Sequence, residues 1–228
     1  MRFKFSLKKK LMGLMFGVLL VCSATQVTVA GNDNQYWSNY LFKLYHTDKV
    51  SIMLFTEAKL YGNFSKPGLY LLCSRVQYKL YDHLDLQMNN TWLKARDSKG
   101  DFITQYRIEP EVNPHFTTGN RNILYFRNRV EIRHIENKGW NNTRYRGRAQ
   151  FTMKLSNSGP FHSVFTDTEF FYDFAAMKHL EQRTTPFGMN LSLAKNIELQ
   201  LFYMIQRQRG LEDWFSNQII GSLLTVKL

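Results

Sequence analysis

Hydrophobic and polar residues alternate with period two along almost the whole chain after Gly31. In 49–61, Val50, Ile52, Leu54, Ala58 and Leu60 share one parity, and Ser51, Glu57 and Lys59 the other. In 69–80, Tyr70, Leu72, Val76, Tyr78 and Leu80 oppose Cys73, Arg75, Gln77 and Lys79. In 83–93, Leu84, Leu86, Met88 and Trp92 oppose Asp85, Gln87, Asn89 and Thr91. Successive side chains of a strand point to opposite faces, so each run predicts a strand with one apolar and one polar face.

The middle of the chain keeps the alternation and adds charge. Phe102, Tyr106, Ile108 and Val112 oppose Gln105, Arg107, Glu109, Glu111 and Asn113. Leu124, Phe126, Val130 and Ile132 oppose Arg127, Arg129, Glu131 and Arg133. Tyr145, Ala149, Phe151 and Met153 oppose Arg144, Arg146, Arg148 and Gln150. Later runs set Val164, Phe170 and Tyr172 against Asp167, Glu169 and Asp173, then Met189 and Leu191 against Asn190 and Ser192, then Leu199, Leu201 and Tyr203 against Glu198, Gln200 and Gln206. Residues 36–46 alternate less cleanly, and 214–228 ends with Ile220, Ser222, Leu224, Val226 and Leu228 on one face.

Turn residues separate the runs. Connections at 46–49, 81–83 and 194–196 read as short. Those at 62–68, 96–101, 134–143, 175–183 and 207–213 read as longer and polar. Alternation of short turns with long loops is a property of membrane barrels. Gly119, Gly139 and Gly159 read as turn glycines without the context of a phosphate-binding loop.

The alternation alone does not say which face is inside. Three features select a membrane barrel over a soluble one. Tyr and Trp fall near run ends on the apolar face (Tyr40, Tyr61, Tyr70, Trp92, Tyr125, Tyr145, Tyr172, Tyr203, Trp214), as in an interfacial girdle. The runs span about 11–15 residues, beyond the five or six of an average soluble strand and enough for a tilted membrane strand. The polar face is dense in Arg and Glu, which a wet lumen can pair. The expected fold is therefore all-β: a closed antiparallel up-and-down transmembrane barrel of ten to twelve strands. Eleven runs are countable. Single-chain bacterial barrels have even strand numbers, so one run is expected to be split or missed, around 102–117 or near the first strand.

No helical period of useful length follows Gly31, and no second apolar run is long enough for a membrane helix. The first thirty residues differ. Arg2, Lys4, Lys8, Lys9 and Lys10 precede an apolar stretch from Leu11 to Val21, and small residues follow at Ala24 and Ala30. This is the layout of a secretory signal peptide, with cleavage expected after Ala30, so residues 1–30 form the signal and 31–228 the barrel. Cleavage removes five basic residues and no acid. The formal charge then drops from +12 to +7, with 25 basic residues against 18 acidic. The basic excess is thus partly a targeting feature, and no nucleic-acid partner is expected. Cys22 leaves with the signal, and Cys73 alone can form neither an internal disulfide nor a thiolate metal site. The expected location is the outer membrane of a Gram-negative cell. Its partners there would be outer-membrane lipid and, during biogenesis, the secretion and barrel-assembly machinery.

The pattern resembles an uncharacterised bacterial outer-membrane β-barrel family, domain of unknown function 2490. The resemblance rests on Trp37 opening the first strand and on Leu124-x-x-Arg127-x-Arg129-x-Glu131-x-Arg133. Glu169, Gln182-Arg183 with Gly188, and Tyr203 with Gln206 add to it. It implies location and fold, and carries no activity.

The most unusual local feature is a charge ladder on the inferred inner face. Arg107, Glu109, Glu111, Arg127, Arg129, Glu131, Arg133, Arg144, Arg146 and Arg148 lie on three successive runs, with Asp167 and Glu169 beside them. Cross-strand neighbours bring such residues within reach of one another. They could form an ion-paired plug, or a basic stripe that guides small anionic solutes through a narrow channel or binding barrel. In a wet lumen, loss of one carboxylate such as Glu131 would cost about 1 kcal/mol or less.

A lipid-modifying acyl hydrolase is the competing class, and it needs a Ser with a His base in hydrogen-bond reach. His162 and Ser163 are adjacent, so a regular strand would point them to opposite faces. His115-x-Thr117 has the right spacing but the weaker nucleophile. His46, His83, His134 and His179 sit at run ends, without metal-ligand spacing. No cofactor motif and no metal site are expected.

Overall fold

A computed structural model describes residues 33–228 apart from 98, 119–120, 156–158 and 211–212, and apart from the side chain of Asn141. The expected signal segment with Ala30, and the turn at Gly119, lie outside the described residues. Among the described residues all regular structure is strand. In chain order the strands are β1 (Asp33–His46), β2 (Val50–Tyr61), β3 (Lys66–Tyr81), β4 (Leu84–Arg96), β5 (Phe102–Thr117) and β6 (Ile123–Ile135). They continue as β7 (Gly139–Lys154), β8 (Phe161–Asp173), β9 (Lys178–Ala194), β10 (Ile197–Arg209) and β11 (Trp214–Lys227).

Each strand pairs with its sequence neighbours, and β1 closes the ring on β11. All eleven predicted runs are real strands; none is split and none is missed. The strand number falls within the expected range, but the even count does not hold. Antiparallel neighbours reverse direction at each step, so an odd ring must contain one pair that runs the same way. That pair is the closure. β1 lies parallel to β11, in register from Asp33↔Asn217 to Lys43↔Lys227. The remaining neighbours are antiparallel. Closure leaves no strand edge to template further pairing.

Strands of 12 to 17 residues exceed the reach needed to cross a hydrocarbon core. They also absorb most of what the sequence suggests is loop. Connections span only two to six residues at both ends, so the expected alternation of short turns and long loops is absent. No connection has the length to fold back and plug the lumen.

The faces follow the parity of the sequence. Tyr78, Val76, Leu72 and Tyr70 on β3, and Tyr106, Ile108 and Val112 on β5, point outward and are exposed. Inward stand Asn89, Glu109, Glu111, Arg129, Glu131 and Glu169, all buried. An apolar exterior around a polar interior inverts a soluble barrel and is the arrangement of a membrane-spanning one. Aromatic clusters lie at both rims. Tyr81, His83 and Phe116 stack at one, with ring centroids 6.1 and 6.3 Å apart, while Tyr106, His134 and Trp140 meet at the other. Two residues assigned to the girdle from sequence do not belong to it. Tyr61 and Tyr125 share parity with Lys59 and Arg127, and they face the lumen.

The lumen wall near the seam is built differently from the rest. Register lines up Phe165↔Gly188, Gly188↔Phe202, Phe202↔Gly221 and Gly221↔Trp37 across five strands. Large rings alternate with glycines, and each ring can lie flat over the bare backbone beside it. A Cβ on Gly188 would fall 2.1 Å from the Phe165 ring, and one on Gly221 would fall 2.1 Å from the Phe202 ring. The glycines are thus required by close approach. Trp37, Met204 and Ile219 form the buried cluster here, with Phe202 against it.

Candidate functional site

Opposite the seam, β5 to β9 present charge. The register sets like charges side by side: Arg107↔Arg133, Arg127↔Arg148 and Arg129↔Arg146 are direct cross-strand partners. Such pairs repel. Carboxylates at neighbouring register positions resolve the repulsion. Glu131, 0% exposed, lies 2.7 Å from Arg144, 2.7 Å from Arg146 and 3.8 Å from Arg107. Glu169 pairs with Arg127, with Arg146 at 3.0 Å and with Arg183 at 3.9 Å. Arg129 spans Glu109 at 3.1 Å and Glu111. Arg107 lies 4.0 Å from Glu109, which joins that cluster to Glu131. Arg133 with Asp173 and Arg148 with Asp167 form separate pairs at 3.0 and 2.7 Å.

All twelve ladder residues picked out in the sequence therefore face the lumen, and each has an ionic partner. The groups that extend the network lie outside the ladder read from the sequence, although Trp37, Arg183 and Gln206 are among the residues that carry the family resemblance. Glu181 and Arg183 on β9 pair at 2.6 Å, and Gln206 donates to Glu181 at 2.5 Å. Phe171 is fully buried beneath three guanidinium groups, of Arg144, Arg146 and Arg183, at 4.8, 4.6 and 4.5 Å from its ring. Arg183 also stands 4.8 Å from the Trp37 ring, and the Lys59 ammonium lies 3.4 Å over the same ring. The network thus crosses the bore from β8 to β1 and β2. Parity places Lys59 inside, whereas Arg183 falls in the expected loop 175–183 and is instead part of β9; the role of both needs the ring closure that brings Trp37 opposite Phe171.

Glu131 itself is fully buried, which corrects the expectation that water surrounds it. Among the described residues the lumen holds a cavity of about 330 Å³. Its charged wall includes Arg107, Arg127 and Arg148, and its apolar wall includes Phe55, Leu71 and Phe202. Arg75 lines it as well.

At the rim that carries the turn 195–196, the structure departs from the sequence reading of His162 and Ser163. A register shift between Phe161 and Ser163 marks a bulge at His162. The bulge brings His162 Nδ1 to 3.3 Å from Ser163 Oγ. Asn190 donates to Ser163 Oγ at 2.8 Å, and Gln200 donates to Asn190 at 2.8 Å. Ser163 is 4% exposed, so its hydroxyl is held within this chain of amides and is not presented to a substrate. His115 Nδ1 lies 3.7 Å from Asp85 and has no contact with Thr117 among those described. No three His, Cys, Asp or Glu residues converge as metal ligands among the described residues.

Residues 34–217 match the model of a family described as "Protein of unknown function (DUF2490)". No curated protein matches the chain. Among solved structures it is similar to a bacterial polysaccharide outer membrane secretin, at 7% identity over 76% of this chain and 74% of that one, with a TM-score of 0.47. It is also similar to the beta domain of the Bordetella autotransporter BrkA, at 13% identity over 78% and 82% of the two chains, with a TM-score of 0.43.

Proposed function

We propose, from the premise that the chain belongs to the DUF2490 family of proteins of unknown function, that it is an outer-membrane barrel which binds small anions in a nearly closed lumen. A signal peptide over 1–30 would export it, and the secretion and barrel-assembly machinery would insert it. The apolar exterior supports lipid as its surroundings. The observation that carries the reading is the lumen network itself. Guanidinium groups of Arg75, Arg107, Arg127 and Arg148 line the cavity beside the seam. Arg forks recognise carboxylate and phosphate.

The same network argues against an open pore. Glu131, Arg146, Glu169 and Arg183 bridge the bore, and an aqueous channel needs about 16–18 strands. The test is conductance in planar bilayers. The barrel should pass small currents or none, with anion preference where current flows. A large cation-selective conductance would refute the reading.

The second reading, an acyl hydrolase, is favoured by the 3.3 Å contact of His162 with Ser163. It is opposed by the burial of Ser163. Fatty-acid release from phospholipid vesicles, abolished in Ser163→Ala, would establish it instead.

A further inference from the structure

We propose that Arg75, backed by Phe55, seats the carboxylate of a small organic acid whose apolar body lies in the lumen cavity. The proposal rests on the anion-binding reading of the lumen and names the site and ligand class within it.

Arg75 differs from the ladder arginines. Its cross-strand partners are Met53 on β2 and Asn89 on β4, so register places no carboxylate beside it. The acids one strand further along, Glu109 and Glu111 on β5, are committed elsewhere, since both pair with Arg129. Among the described residues no carboxylate lies within ion-pair distance of Arg75; its buried Nε has no acceptor, a feature it shares with Arg107, Arg127 and Arg148, which do have acid partners. The guanidinium is held 3.9 Å over the Phe55 ring, with the Cys73 thiol as its side-chain hydrogen-bond neighbour and no carboxylate beside it. A charged group buried without an acceptor is costly, so such a site gains by taking an anion.

The cavity defines the rest of the ligand. Within a mostly polar lining, Phe55, Leu69, Leu71, Phe202 and Met204 supply apolar surface that can take a ring or branched chain. Its volume of about 330 Å³ is ample, since about 150 Å³ holds benzene. Of the acids that line the cavity, Glu57 and Glu109 lie on the strands nearest Arg75, while ladder arginines such as Arg129, Arg146 and Arg148 are paired with acids of their own, so a monocarboxylate fits beside Arg75 better than a phosphate dianion.

The experiment is calorimetric titration of the purified, detergent-solubilised barrel with benzoate, with its neutral analogue benzamide and with inorganic phosphate. Benzoate should bind saturably, and the other two about tenfold or more weakly, the worth of a charged hydrogen-bonded pair. Arg75→Gln should lower benzoate affinity about tenfold or more while leaving benzamide unchanged. Arg75→Met, which keeps a stem on Phe55 and orphans no carboxylate, should do the same and serves if the Gln variant does not fold. Equal binding of benzoate and benzamide, or unaltered benzoate affinity in both variants, would overturn the proposal. Binding of phosphate without benzoate would remove the ligand class and keep the anion-binding lumen. Binding of no anion by the folded barrel would remove both.

Discussion

Arg146 donates to Glu131 at 2.7 Å from one terminal nitrogen while its Nε donates to Glu169 at 3.1 Å, so one guanidinium ties β6 to β8 across β7. Two carboxylates and their arginines are thereby fixed as a unit at the level where the bore narrows. Removing one member leaves the others buried and uncompensated.

Glu131→Gln should therefore be strongly destabilising. It leaves Arg107, Arg144 and Arg146 short of a negative partner around a fully buried position, at a cost of about 3–5 kcal/mol. Val130→Arg on the opposite face of the same strand puts a charge into hydrocarbon, at about 2–4 kcal/mol near the midplane. Urea-dependent folding into lipid vesicles should show both variants impaired to a similar extent. A cost for Glu131→Gln of about 1 kcal/mol or less would mean that water reaches the network after all.

At the seam, Gly221→Ala should destabilise by about 1–3 kcal/mol, because the new methyl collides with the Phe202 ring and displaces it. Phe202→Leu should relieve that collision. In a double-mutant cycle the two changes should therefore couple, the pair costing less than the sum of the singles. Additive effects in vesicle folding would show that the ring does not rest on the glycine.

The mature chain should fractionate with the outer membrane and migrate on gels with the heat-dependent shift of a closed barrel. Recovery as a soluble periplasmic protein would contradict the outward facing of Tyr78, Ile108 and Val112.

Ser163→Ala should leave phospholipid vesicles as they are with the unaltered barrel, with no fatty acid released in either case. Its effect should appear in stability, as loss of the hydrogen bonds with Asn190 and His162, about 1 kcal/mol each. Vesicle hydrolysis by the unaltered barrel that this variant abolishes would reassign the rim site as catalytic.

The strands and their faces were legible because period two is a one-dimensional signal. Leu124, Phe126, Val130 and Ile132 against Arg127, Arg129, Glu131 and Arg133 fix both the element and its orientation without any knowledge of partners. Ring closure is a different kind of fact. Nothing near Trp37 announces Gly221, and the even-number expectation suggested a counting error where there was a parallel pair. The bulge at His162 was equally hidden, because one inserted residue breaks the very parity that predicts facing. The ladder residues were visible as a set, but which guanidinium met which carboxylate depended on register. Arg75 was visible as an inward residue; that it has no acid partner emerged only once Met53 and Asn89 were seen to flank it.

The parallel ladder between β1 and β11 also decides sidedness. A chain that crosses a bilayer an even number of times returns to the compartment it started from; one that crosses eleven times does not. Asp33 and Lys227 consequently stand at opposite rims, on opposite sides of the lipid. An epitope placed before Asp33 and one placed after Leu228 would be reached by antibody from different compartments, and an intact cell would display only one of them.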